Sequence, residues 1–91
     1  MLDELKRLRK EVLAQEGLPS NAIDVRVEVA LFQPDVDWAS ARANHAGTKV
    51  IYTHVDGSED TCWADDWTSF PEATLDALDT IIAALEAKET K

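Results

Sequence analysis

The chain offers one thiol, Cys62, two imidazoles, His45 and His54, and eighteen carboxylates against nine Lys and Arg side chains. A nucleophilic Cys–His pair would have to join Cys62 to His54 or His45 within hydrogen-bond reach. A two-residue turn between the segments carrying His54 and Cys62 sets them on opposite faces of a hairpin, and a three-residue turn sets them on one face. No base flanks Cys62 to stabilise a thiolate, and the surrounding acids raise its pKa instead. The expected role of Cys62 is that of a buried structural residue. A divalent ion could draw on His54, Asp56, Glu59 and Asp60, yet Gly57 directly follows Asp56, whereas a calcium loop holds glycine at its sixth position. Paired-Cys and two-His zinc spacings are missing. The three glycines are isolated and form no phosphate-cradling loop. The chain therefore reads as non-enzymatic, with no catalytic residue, metal or cofactor expected.

Charge is the feature that asks for a function. The net charge is −9, and it is unevenly distributed. Residues 1–49 are nearly balanced, whereas residues 50–87 carry Asp56, Glu59, Asp60, Asp65, Asp66, Glu72, Asp76, Asp79 and Glu86 with no Lys or Arg. Solubility alone asks only for mixed charge, and a block of one sign repels itself. Direct nucleic-acid binding, which needs a basic footprint, is disfavoured. Trp63 and Trp67 lie inside this acidic stretch, and Trp38 precedes it. One of these rings, exposed within an acidic rim, would make an interface anchor, and in the bland alternative one or two of them are core.

These groups must be positioned by a few elements. Leu2, Leu5, Leu8, Val12 and Leu13 form a helical stripe over 2–16, with Gly17 and Pro19 ending the helix. Lys6, Arg7 and Lys10 fall on its polar side. Residues 22–32 alternate, with Ile23, Val25, Val27, Val29 and Leu31 on one side and Asp24, Arg26 and Glu28 on the other, which predicts a half-buried strand. Residues 36–46 are alanine-rich and read as a short helix or a structured loop. Residues 48–55 are β-branched and aromatic, and Asp56-Gly57-Ser58 turns them into a further strand near 59–64. Ser69-Phe70-Pro71-Glu72 has capping-box spacing ahead of a final helix to about Lys88, whose core stripe is Leu75, Leu78, Ile81, Ile82 and Leu85. On that helix Glu72, Asp76, Asp79 and Glu86 fall within about 80° of one another. The fold class is α+β in the order α-β-(α)-β-β-α. It comprises a mostly antiparallel three-stranded sheet with the N- and C-terminal helices packed on one face.

Ninety-one residues make a single domain, 1–91. One cysteine excludes an internal disulfide, and the acidic start is unlike a signal peptide, so a cytoplasmic setting is expected, that of a host if the protein is viral. In size, acidity and lack of catalytic motifs the chain resembles phage-encoded anti-CRISPR and anti-restriction proteins and small nuclease-immunity proteins. The resemblance covers overall properties and carries no residue over. It implies a DNA-mimic inhibitor of a basic, nucleic-acid-binding protein or nuclease, with neither nucleic acid nor membrane bound directly. The partner-binding candidates are Asp56, Glu59, Asp60, Asp65, Asp66, Trp67, Glu72, Asp76 and Asp79. The alternatives are an adaptor or homodimeric subunit whose acids give only solubility and, more remotely, a small metal-dependent enzyme.

Overall fold

A computed structural model describes residues 2–89. Helix α1, Leu2–Gln15, buries Leu5, Leu8 and Val12. It stops where Glu16 and Gly17 turn to positive φ, 52° and 83°, the left-handed exit that glycine takes at no steric cost. Leu13, expected on the buried stripe, is exposed instead.

The next element corrects the sequence reading. Residues 22–32 do not form a strand; helix α2 runs from Asn21 to Leu31. Ser20 caps it, its Oγ accepting the Ile23 N–H at 3.4 Å. The alternation misleads because this helix is covered on two sides. Ile23, Val27, Ala30 and Leu31, spaced i, i+4, i+7 and i+8, pack with α1 and the C-terminal helix. Val25, Glu28, Val29 and Phe32 project from the opposite side at 100° per residue, toward the sheet. Burial on both sides erases the single apolar stripe that normally marks a helix. It also outweighs the modest helix penalty of valine.

The sheet contains β1 (Trp38–Ala43), β2 (Val50–His54) and β3 (Glu59–Cys62) in that order, antiparallel throughout. Residues 36–46, read as helix or loop, thus supply a strand. Ala41 and Ala43 lie opposite Tyr52 and Val50, and their small side chains let α2 come close. The register shifts once, between Trp38 and Ser40, as at a β-bulge. Asn44 builds the β1–β2 connection. Its Oδ1 accepts the N–H groups of Thr48 and Lys49 at 2.8 and 3.1 Å, and Gly47 supplies a φ of 71°. The expected hairpin is present, with Gly57 at φ 94°. After a 3-10 turn at Trp67–Ser69, helix α3 spans Pro71–Glu89. Among the described residues, no helix is long and apolar enough to cross a membrane.

The expected α+β class holds, with its three antiparallel strands and terminal helices, but the order is α-α-β-β-β-α. Helix α2 meets β1 and β2, while α1 and α3 pack on each other and on α2. The main core is consequently helical: Leu5, Leu8, Val12, Val27, Leu78 and Ile82, with Leu75, Ile81 and Leu85 partly buried beside them. Basic side chains of α1 close the helix layer from outside. Arg9 holds Asp79 (Nε to Oδ1, 2.6 Å) and Lys6 reaches Glu86 at 3.4 Å. Arg26 of α2 takes both Glu4 and Glu11 at 2.8 Å. The Arg26 hydrogen bond holds the Glu4 carboxyl below its ordinary value of 4.5.

Two outcomes test this packing. Leu78→Ala should cost about 2–5 kcal/mol in urea unfolding, and Leu85→Ala distinctly less, because Leu78 is fully buried and Leu85 only partly so. Because the folded Glu4 carboxyl is depressed, its contribution is complete above pH 4.5 and fades as pH falls through the folded value. Glu4→Gln should therefore flatten the acid limb of stability against pH. An unchanged limb would contradict the Arg26 contact.

Candidate functional site

The nine predicted site residues separate into three groups. Asp56, Glu59 and Asp60 belong to the β2–β3 hairpin; Asp65, Asp66 and Trp67 to the segment after it; and Glu72, Asp76 and Asp79 to α3. Each group meets a different fate.

On the hairpin, register decides. Thr53 lies opposite Glu59, so the connection is longer than two residues and His54 shares the helix-facing side with Tyr52, Asp60 and Cys62. Along the strand, however, Cys62 pairs with Val50, and at about 3.3 Å per residue it stands about 13 Å from the level of His54. The Cys–His pair therefore does not form. Cys62 is exposed on the edge strand, not buried as expected. Partial desolvation and the carboxylates of Glu28, Asp60 and Asp65 push its thiol above the ordinary 9.0, the wrong direction for a nucleophile. His54 instead stacks on Trp38 at 3.8 Å and meets Asp60 at 2.9 Å through Nε2. Glu59 points to the other face and pairs with Arg42 at 2.8 Å. The proposed ion ligands are thus split between two faces. Asp56 turns inward on its own loop, accepting from the Ser58 N–H and hydroxyl at 2.9 and 2.7 Å, which holds its carboxyl below the usual range.

The segment after the hairpin is held by two carboxylates of α2 that the sequence did not single out. Asp24, only 6% exposed, accepts both the N–H and the hydroxyl of Thr68 at 2.7 and 2.8 Å. The Thr68 hydroxyl oxygen in turn accepts the N–H of Ser20 at 2.9 Å. One turn further along α2, Glu28 takes three donors: the Tyr52 hydroxyl, the Asp65 N–H at 2.9 Å and the Trp67 indole N–H at 2.9 Å. Trp67 is thereby turned inward and packs beside the helical core. The exposed aromatic next to it is Phe70, which retains 65% of its accessible surface.

Phe70 stands between two shallow concavities. One, of about 410 Å³, is lined by Asp65, Asp66, Trp67, Phe70, Ala73 and Thr74. The other, of about 430 Å³, is lined by Ser69, Phe70, Pro71, Glu72 and Ala73. The start of α3 supports this arrangement differently from the expected capping box. Thr74, not Ser69, ties it down, its hydroxyl donating to the carbonyls of Trp67 and Phe70 at 2.6 and 3.0 Å. Asp65, Asp66, Glu72 and, one turn along α3, Asp76 join no ion pair among the described residues. Asp79 does not belong with them, because Arg9 neutralises it. Trp63 is also exposed, at 64%, with the Lys49 ammonium 4.6 Å from its ring centre. Phe70 was missed because its neighbours Ser69, Pro71 and Glu72 read as helix-capping chemistry. Its position immediately before a helix-initiating proline was the available signal.

Comparison with protein-family models, curated proteins and solved structures finds no match to this chain. The site must be read from its own chemistry.

Removing Asp24 leaves the Thr68 N–H and hydroxyl without their acceptor in a buried setting. Asp24→Ala should cost about 1–3 kcal/mol by chemical unfolding, while Asp66→Ala on the exposed rim should change stability little. Equal effects would contradict the assigned roles.

Proposed function

We propose that the protein is a non-enzymatic binding protein that inhibits a basic partner by covering its nucleic-acid-binding surface with the acid-rimmed face around Phe70. The observation that carries this reading is the combination of an exposed aromatic ring, a concavity on each side of it, and carboxylates at Asp65, Asp66, Glu72 and Asp76 that no cation of the described chain neutralises. Aromatic anchors with a polar rim are the usual centre of a protein interface. Unpaired acids steer a Lys/Arg-lined partner onto such a face and disfavour nucleic acid there. A DNA-mimic inhibitor of the anti-CRISPR or anti-restriction kind would use the same attraction.

The internal ion pairs narrow the footprint. Glu59, Asp79 and Glu86 are engaged by Arg42, Arg9 and Lys6. The mimic surface consequently rests on Asp65, Asp66, Glu72 and Asp76, with Asp56 and Asp60 contributing field from the hairpin. In the alternative reading, an adaptor or homodimeric subunit, Phe70 still anchors the contact but the acids add only solubility.

The test pairs capture with competition. The partner is first taken from a native lysate at low salt and identified, and its affinity is then measured against ionic strength. Asp65→Lys with Asp66→Lys should weaken binding by about tenfold or more, at least about 1.4 kcal/mol, without loss of fold. Phe70→Ala should weaken it further, and added nucleic acid should displace the protein. Salt-insensitive binding that tolerates the charge reversal and coexists with bound nucleic acid would replace the mimic by the adaptor.

A further inference from the structure

Where α2 ends, three aromatic rings stand around one opening. Phe32 follows the last turn of α2, Trp38 begins β1, and Tyr52 lies in β2. The ring centres of Phe32 and Tyr52 are 6.0 Å apart with planes at 53°, and those of Trp38 and Tyr52 are 5.5 Å apart at 67°. Inclined rings make walls, whereas parallel ones would close on each other. Together with Gln33 and Asp35 they line a concavity of about 390 Å³, within the size range of small-ligand pockets. Each ring is half-buried, so it is fixed below and open above.

The walls are held firmly and are rich in electrons. Asp35 Oδ1 accepts the N–H groups of Asp37 and Trp38, each at 2.8 Å, and the Asp35 N–H donates to the Trp38 carbonyl at 3.0 Å. Those bonds hold the Asp35 carboxyl below its usual range, leaving an anion at the mouth. The His54 ring stacks on Trp38 at 3.8 Å, with Asp60 on its Nε2. The Tyr52 hydroxyl donates to Glu28, and hydrogen-bond donation to a carboxylate makes the phenol ring more electron-rich. Core packing accounts for the buried edges of the three rings. The turn accounts for Asp35 Oδ1, while the second carboxylate oxygen has no hydrogen-bond partner among the described residues.

We infer that this pocket binds a methylated ammonium group, with the N-methyl groups against the ring carbons of Phe32, Trp38 and Tyr52 that line it and the charge balanced by Asp35. Aromatic faces attract cations, and aromatic enclosures select quaternary ones. A primary ammonium brings three N–H donors and a tight hydration shell, and carbon walls replace neither. A trimethylammonium head has no N–H to satisfy. The overall charge of −9 raises the local concentration of any cation.

The side-chain NMR signals of Trp38 and Tyr52 read the experiment. Tetramethylammonium, choline and free trimethyl-lysine are titrated alongside unmodified lysine and the neutral tert-butyl analogue of choline. The methylated cations should saturate with Kd on the order of 1 mM and bind about fivefold or more tighter than the neutral analogue and lysine. Trp38→Leu should weaken them by at least about fivefold. Asp35→Asn, which keeps the Oδ1 acceptor for the turn, should weaken them by about threefold and reduce the salt dependence. Phe70→Ala should leave them unchanged, which separates this pocket from the acid-rimmed face. Preference for choline points to a free small molecule, and preference for trimethyl-lysine to a modified protein side chain; either supports the pocket. Equal binding of the neutral analogue, equal binding of lysine, or no saturable shift with tetramethylammonium up to about 50 mM overturns it.

Discussion

Two carboxylates one turn apart on α2 organise the rest of the molecule. Asp24 and Glu28 are accompanied by no cation among the described residues, so their partial or full burial is offset by hydrogen-bond donors alone. Those donors come from distant parts of the chain: Thr68, Asp65, Trp67 and Tyr52. Satisfying them draws the segment after the hairpin onto α2 and fixes β2 against the same helix. With Trp67 turned inward by this demand, α3 begins at Pro71 and Phe70 is left outside. The exposed face and the aromatic opening near Tyr52 thus share one support, Glu28.

The charge distribution follows a second constraint, the use of every guanidinium inside the protein, Arg7 included through Glu4. Arg9, Arg26 and Arg42 are taken up by Asp79, by Glu4 and Glu11, and by Glu59. Exposed pairs of this kind contribute only about 0.2–1 kcal/mol each. Their larger effect is on the outer field, because the acids they neutralise are removed from it. Among the acids left unpaired, Asp65, Asp66, Glu72 and Asp76 lie near the exposed Phe70. A function based on attraction to a basic partner is the reading that uses this residue of charge.

Sequence pattern was informative where an element has one buried face. The α1 stripe (Leu13 excepted), the Asp56-Gly57 turn and the α3 helix all took the form their pattern implied. It failed for α2, whose two buried faces leave valines at alternate positions. There Pro19-Ser20, a start signal for a helix, was the better guide. It failed also for β1, where alanines serve close approach of α2 and not helix propensity. At the site, the positions of the acids were legible, but their pairing was not. Arg9 and Asp79 are 70 residues apart, and no local pattern links them. Asp24 and Glu28 both fall on the polar side of the predicted strand, although an i, i+4 pair of acids on a helix places two acceptors on one face.

Native-state hydrogen exchange of the Asp65 and Thr68 amides tests the organising role of these carboxylates most directly. Neither amide belongs to a regular helix or strand ladder; each donates to a side chain of α2. The account predicts that both exchange slowly, with opening free energies approaching that of the amides in the core helices. Exchange at the rate of an unstructured peptide, with the helices still protected, would contradict it and would leave the Phe70 face without its support.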